Sequence, residues 1–319
     1  MANIMVTNFC NLDCPYCFAK TFTKENITHI SLENFKKIVS FILGSEKDQI
    51  GLIGGEPMLH PKINELLRYL INIGVGHRVL IFSNGIYIDK ARELIEKNRI
   101  RVLVNYNDAS IIQDKQVKKR LSENLHFLSS CQCMSLGINI FDKNQKFDDL
   151  FATLEEYHIK SLRISIAVPN KRVSIKSPLE YYWDLKETLI KVILKTNSLG
   201  IRPVLDCNIP PLCMITNEER RKIRDSFGEQ PYTNALCIQS TCEPVIDIMP
   251  NMTAIRCFGA SQKGIVDIEA FENIDQLRKY FTDTIDAKKT FPVSVCEKGC
   301  RYKKIEKCDG VCLGFYNYE

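Results

Sequence analysis

The chain has 319 residues, 45% of them apolar and 25% charged, with 14 cysteines and a formal net charge of +5. That length suits one large domain or a catalytic domain with a small appendage, and a core of this size needs no covalent staples. The charge is too small and too dispersed for a nucleic-acid binder, no apolar run reaches the length of a membrane span, and no charged start leads into the apolar run of a secretory signal.

A cytoplasmic location is therefore expected, with no nucleic-acid or membrane partner. Thiols stay reduced there, so clustered cysteines read as metal ligands and not as a disulfide framework. The densest basic runs, Val117-Lys118-Lys119-Arg120 and Arg220-Arg221-Lys222-Ile223-Arg224, read as solvated helix faces.

In chain order, a first strand at Ile4–Thr7 runs directly into Cys10-Asn11-Leu12-Asp13-Cys14-Pro15-Tyr16-Cys17. Ser31 then caps a helix whose apolar positions Leu32, Phe35, Ile38, Val39 and Ile42 recur at helical spacing. A strand at Gln49–Ile53 ends in Gly54-Gly55-Glu56-Pro57, a helix follows over Ile63–Ile73, and a strand at Arg78–Phe82 ends in Ser83-Asn84-Gly85. Further helices are expected at Ala91–Lys97, Val117–Leu128, Phe147–Tyr157 and Tyr181–Asn197. They alternate with strands at Arg101–Asn105, Ser135–Phe141, Leu162–Val168 and Arg202–Leu205. Cys131 and Cys133, at a strand start, read as buried thiols.

Repeated βα units in this order predict an α/β fold with a parallel sheet and right-handed crossovers, a full or partial barrel. The pattern changes after Ile215. A charged helix over Thr216–Phe227 precedes a hairpin, Pro244–Met249 and Thr253–Arg256, turned by Pro250-Asn251-Met252. A helix at Ile274–Phe281 then leads into a cysteine-dense tail. The expected division is a catalytic domain over 1–230 and a small cysteine-rich domain over 231–319. The terminal Phe315-Tyr316-Asn317-Tyr318 either closes the barrel mouth or frays in solvent, and fraying is the expectation, as for most termini.

The C-x3-C-x2-C triplet at Cys10, Cys14 and Cys17 puts three thiolates on one short loop. They can hold three corners of a cubane and leave one iron open to a chelating ligand. A zinc knuckle or a redox C-x-x-C are the alternatives, although zinc wants a fourth ligand nearby and no histidine lies close. The triplet, Gly54-Gly55-Glu56-Pro57 and Ser83-Asn84-Gly85 each follow one of three consecutive strands, and barrel active sites collect at the C-terminal strand ends.

In these motifs the sequence resembles the radical S-adenosylmethionine (SAM) superfamily. The resemblance implies a partial (β/α)6 TIM-like barrel, with a 4Fe-4S cluster on Cys10, Cys14 and Cys17 that binds SAM. It places Tyr16 near the adenine, Gly54, Gly55 and Glu56 at the SAM amino group, and Ser83 and Asn84 near the methionyl carboxylate and ribose. Asn105, Asn107, Asn139, Arg163 and Ser165 are polar residues on or just after apolar strands. They suit either a SAM or substrate role or ordinary alternation. Arg163, a cation in an apolar run, wants a carboxylate partner, which SAM or a substrate would supply.

The later cysteines resemble the SPASM and shorter twitch domains that carry auxiliary 4Fe-4S clusters, one or two of them here. The family arrangement implies one cluster on Cys237, Cys242, Cys257 and Cys312. A second would sit on Cys296, Cys300 and Cys308, with one iron open. In an alternative, Cys207 and Cys213 join Cys242 and Cys257, and the tail quartet forms the other site. A zinc ribbon is the third reading of the tail. Cys207, Cys213 and Asp206 are also candidates for hydrogen-atom or proton transfer after the last barrel strand.

The implied activity is reductive SAM cleavage to a 5′-deoxyadenosyl radical, followed by hydrogen abstraction from a substrate. Family members with such C-terminal domains mostly modify peptides, and a minority dehydrogenate small molecules. A low-potential donor of flavodoxin or ferredoxin type would deliver the electron. No leader-gripping module of about a hundred residues fits ahead of Cys10, so leader binding falls to a separate protein or to the barrel rim. A non-catalytic cluster-binding or zinc-binding protein is the contrasting reading.

Overall fold

The computed structural model describes residues 1–21, 26–46, 48–107, 111–168, 177–208, 210–226, 242, 244–260, 264–288, 296, 299–306, 308 and 310–318. Strands and helices alternate as the periodicity predicts: β1 (Ala2–Thr7), α1 (Leu32–Leu43), β2 (Ile50–Gly54), α2 (Ile63–Asn72), β3 (Val79–Ser83), α3 (Arg92–Asn98), β4 (Arg101–Asn105) and α4 (Lys115–Ser130). They continue through β5 (Met134–Ile140), α5 (Asp148–Glu156), β6 (Ser161–Ile166), α6 (Pro178–Ser198), β7 (Arg202–Leu205) and α7 (Asn217–Asp225). The remainder is β8 (Ile246–Ile248), β9 (Thr253–Ile255), β10 (Ile265–Asp267) and α8 (Ile274–Thr284). Among the described residues no helix is long and apolar enough to cross a membrane.

Packing does not follow the boundary expected near residue 230. Met1–Ser135 packs with Pro244–Lys288, and Leu136–Glu243 packs with Lys289–Glu319. In the first unit the sheet order is β10-β9-β8-β1-β2-β3-β4, parallel from β8 to β4. The cause of the unexpected grouping is the pairing of β8 with β1, Ala2 opposite Ile246 and Ile4 opposite Ile248. The expected hairpin forms, and β10, three residues too short to show a pattern, adds to it antiparallel to β9. In the second unit β5, β6 and β7 lie parallel in that order.

Local chemistry explains the elements that carry the site. All six residues of β1 are buried, as a parallel strand covered on both faces requires. Ser31 accepts from the Asn34 amide at 3.0 Å and starts α1, which buries Phe35, Ile38, Val39 and Ile42. Thr216 and Glu219 form a reciprocal capping box at the start of α7, and the Glu219 carboxylate also receives Lys186 at 2.8 Å. The tail does not fray at Phe315. Its ring is 5% exposed and lies 5.6 Å and 5.1 Å, centroid to centroid, from Tyr181 and Tyr182. Cys131 and Cys133 are buried, as expected.

The seam between β1 and β8 contains a buried polar contact. Asn3 Nδ2 donates to Asp247 Oδ1 at 2.7 Å, and the Phe258 amide donates to Asp247 Oδ2 at 2.8 Å. Burial drives the Asp247 carboxyl up to about 7, and those two donors and the Arg256 charge pull against it. An unfolded aspartate ionises near about 3.9. Between the two values the native state therefore holds the extra proton, so stability declines as pH rises through that window and levels off above it. Urea unfolding from about pH 5 to about pH 7.5 is expected to show this decline, and Asp247→Asn is expected to flatten it. An undiminished slope in the variant would assign the decline to another group.

Candidate active site

The C-terminal ends of β1, β2, β3 and β4 lie side by side, and each gives way to one of the polar segments singled out in the sequence. The loop after β2 is laced to the end of β1. The Gly55 amide donates to the Thr7 carbonyl and the Glu56 amide to the Phe9 carbonyl, both at 2.8 Å. A Cβ on Gly54 would collide with the Thr7 carbonyl, and one on Gly55 with the Phe9 carbonyl. The sequence suggested that the glycines admit a ligand. Their demonstrable role is to admit the neighbouring backbone at the root of the cysteine loop.

Glu56 is 1% exposed. Its Oε1 accepts from the Met58 amide at 3.0 Å and from Ser83 Oγ at 2.8 Å, and its Oε2 accepts from the Asn84 amide at 2.7 Å. Burial raises its pKa, and the Asn84, Met58 and Ser83 donors oppose that rise. The carboxylate expected at the SAM amino group is thus a clamp between the loops after β2 and β3. Ser83 and Asn84 are likewise engaged: Ser83 Oγ accepts from the Gly85 amide at 3.0 Å, and Asn84 Nδ2 donates to Asn11 Oδ1 at 2.9 Å. That last bond ties the β3 loop to the interior of the cysteine triplet.

The loop after β4 completes the ring of ties. Asn107 Oδ1 accepts from the Tyr16 hydroxyl at 2.5 Å and from Cys14 Sγ at 3.6 Å, while Asn107 Nδ2 donates to the Asn105 carbonyl at 3.0 Å. Asn105 Oδ1 is buried with no hydrogen-bond partner among the described residues, a vacant acceptor beside the triplet. Asn11 and Asn107 are the tie points that sequence reasoning underrated. Their only signal was a polar residue inside the triplet and a second one just past a strand end.

Burial pushes the Cys10 thiol up to about 11, and the charges of Glu56 and Cys17 add to the rise. Burial, then the charges of Cys17 and Cys10, pushes Cys14 up to about 12. Three half-buried thiols on one loop, of which Cys10 and Cys14 resist ionisation beside their neighbours, become thiolates together only around a strong cation, so the donor set fits an iron cluster. A bound ligand with hydroxyl or ammonium hydrogens would satisfy Asn105 Oδ1.

The remaining candidates belong to the second packed unit. Arg163 Nε donates to the Asp206 carboxylate, so the partner its apolar strand calls for is supplied within the chain. Cys207 Sγ donates to Asp206 Oδ1 at 3.5 Å. Asn139 stands opposite Ser165 in the β5–β6 register, and Ser165 Oγ is buried with no hydrogen-bond partner among the described residues. Cys207, Cys213 and Cys242 are exposed, while Cys296, Cys300, Cys308 and Cys312 are half-buried. Cys257, also half-buried, follows β9 in the first unit. Cys237 lies outside the described residues.

Residues 4–126 match the family described as the Radical SAM superfamily, whose cofactors are a 4Fe-4S cluster and SAM. Among curated proteins, a GTP 3',8-cyclase of Chlorobaculum tepidum is 33% identical over 27% of this chain and 26% of its own length. The antilisterial bacteriocin subtilosin biosynthesis protein AlbA of Bacillus subtilis is 24% identical over 49% of this chain and 38% of its own. These matches span well under half of either relative. The fold is that of Streptococcus suis SuiB solved with its precursor peptide SuiA: TM-score 0.66 at 15% identity, covering 100% of this chain and 72% of the other.

If Glu56 is a clamp, Glu56→Gln is expected to turn an amide NH2 against either Ser83 or Asn84 and to lower stability by about 1–3 kcal/mol. Ser83→Ala, which removes one neutral donor, is expected to cost about 1 kcal/mol. Urea unfolding of the metal-free chain reads both. Equal stability of Glu56→Gln and wild type would remove the clamp from the account.

Proposed function

We propose that this chain, whose residues 4–126 form a radical SAM domain, is a peptide-modifying enzyme that removes hydrogen from a side chain or backbone position to set up a crosslink, an epimerisation or an oxidation. The observation that carries the catalytic part is the half-buried set Cys10, Cys14 and Cys17 on one loop, held at the strand ends by Asn11, Asn107 and the Glu56 clamp. The peptide part is supported by the bacteriocin biosynthesis relative and by the SuiB fold, solved with its precursor peptide.

Once bound and reduced by one electron, the cluster and SAM supply a 5′-deoxyadenosyl radical. In this reading Cys10, Cys14 and Cys17 hold three irons and leave the fourth open. Asn105 Oδ1 accepts from SAM, and Tyr16, fixed through its hydroxyl by Asn107, lines the adenine side. The backbone of Gly54 and Gly55 meets the amino group, because the Glu56 oxygens already serve Met58, Ser83 and Asn84. Tail cysteines, among them Cys242, Cys257 and Cys312, hold auxiliary clusters that carry an electron to or from the substrate. A flavodoxin- or ferredoxin-type donor feeds the first cluster, a separate protein presents the leader, and the reducing cytoplasm keeps the thiols available.

The cyclase relative favours a second reading, a small-molecule substrate. The experiment is anaerobic turnover of the reconstituted chain with SAM and dithionite, with and without a short peptide encoded beside its gene. The peptide is expected to accelerate 5′-deoxyadenosine release and either to lose mass equal to the hydrogens removed, as in a crosslink or an oxidation, or, in an epimerisation, to keep its mass in water and take up deuterium from D2O. Acceleration by a nucleotide or sugar, with the peptide unchanged, would select the small-molecule reading.

A further inference from the structure

The family arrangement assigns three cysteines, Cys296, Cys300 and Cys308, to the second tail cluster. We propose that Cys213 supplies its fourth ligand, closing a four-thiolate 4Fe-4S site with them. The proposal rests on the reading above that the tail carries iron–sulfur clusters. It differs from both sequence-level arrangements: Cys213 joins the tail trio and not the hairpin cysteines, and the second auxiliary cluster keeps no open iron.

Cys213 sits on the 3-10 turn Leu212–Met214, between β7 and the Thr216 cap of α7. The tail comes back to this point. Cys300 is the N-cap of the short helix Arg301–Lys304, and on that helix the Tyr302 ring lies 5.5 Å from the guanidinium carbon of Arg220, in the first turns of α7. Cys308 closes the same segment, its sulfur accepting from the Gly310 amide at 3.4 Å. Thus a cation–π contact joins the helix that starts just after Cys213 to the segment between Cys300 and Cys308.

The charges report the same grouping. The charges of Cys308 and Cys300 reach the Cys213 thiol, and those of Cys300, Cys213 and Cys308 reach the Cys296 thiol, so the four sulfurs lie within electrostatic reach of one another. Cys312 belongs elsewhere. Its amide donates to the Tyr182 hydroxyl at 3.4 Å, and Cys312 and Cys242 are the two cysteines among the charges that reach that buried hydroxyl.

A fully ligated cubane offers substrate no iron, so this cluster passes electrons or orders the tail and does not bind the peptide.

The test uses the full chain carrying Cys10→Ala, Cys14→Ala and Cys17→Ala, reconstituted anaerobically, so that its readout is independent of SAM cleavage. Two auxiliary clusters give about eight irons per chain. Adding Cys213→Ala is expected to remove about four of them, or to remove one and produce the oxidised-state electron paramagnetic signal of a three-iron cluster. Cys213→Ser is expected to keep the iron and shift one cluster's potential. Cys207→Ala is expected to change neither. Unaltered iron, spectrum and potential in both Cys213 variants would overturn the proposal. So would a parent that holds zinc, or a parent of about four irons that Cys213→Ala leaves intact. If Cys213→Ala loses all its iron, the serine variant decides, since an unshifted potential there excludes ligation. Failure of the wild type to cleave SAM would count against the radical reading and leave this result untouched.

Discussion

One buried carboxylate holds the candidate site together. Glu56, at 1% exposure, takes three donors from two loops, and its own amide reaches back to the carbonyl that precedes Cys10. An ionisable group so placed is tolerable only with its acceptor sites filled. Those bonds therefore fix the loops after β2 and β3 against each other, and Asn84 carries the constraint on to Asn11 inside the triplet. The thiols of Cys10 and Cys14 sit where burial resists their ionisation. A rigid cage of reluctant thiols favours a multi-iron cation over isolated reactive cysteines.

The chain's second half returns to the first by way of β8. The strand pairs with β1, and the Asn3–Asp247 bond is buried in the seam. Cys257 follows β9 of the same hairpin, and Phe258 next to it stacks on Phe18, the residue after Cys17, with ring centroids 4.9 Å apart. The segment that leads into the cysteine-rich tail is thereby anchored against the triplet loop itself. In the other packed unit Tyr182 plays a comparable part, placing its hydroxyl between Asn208 and the Cys312 amide.

Much of this was legible in the sequence because it obeys short-range rules. Apolar periodicity placed α1 and its Ser31 cap, strand-helix alternation gave the parallel order, and the cysteine spacing marked the loop after β1. What escaped was set by partners distant in sequence. Nothing near Glu56 says that Ser83 and Asn84 will consume its oxygens, and nothing near Arg163 says that Asp206 will meet its charge. The domain boundary near residue 230 followed a change of pattern, whereas packing follows the pairing of β8 with β1. Phe315 was expected to fray on its position alone. The aromatic shelf of Tyr181 and Tyr182 that buries it lies more than a hundred residues away.

The central claim is that Cys10, Cys14 and Cys17 hold the cluster at which SAM is cleaved. It is tested most directly by 5′-deoxyadenosine release with dithionite and SAM, read beside iron and sulfide content, in wild type and in the triple alanine variant at those positions. The account predicts release by the wild type alone, with the variant keeping the iron of its tail. Release by the variant at the wild-type rate, or a cluster-loaded wild type that leaves SAM intact, would contradict it.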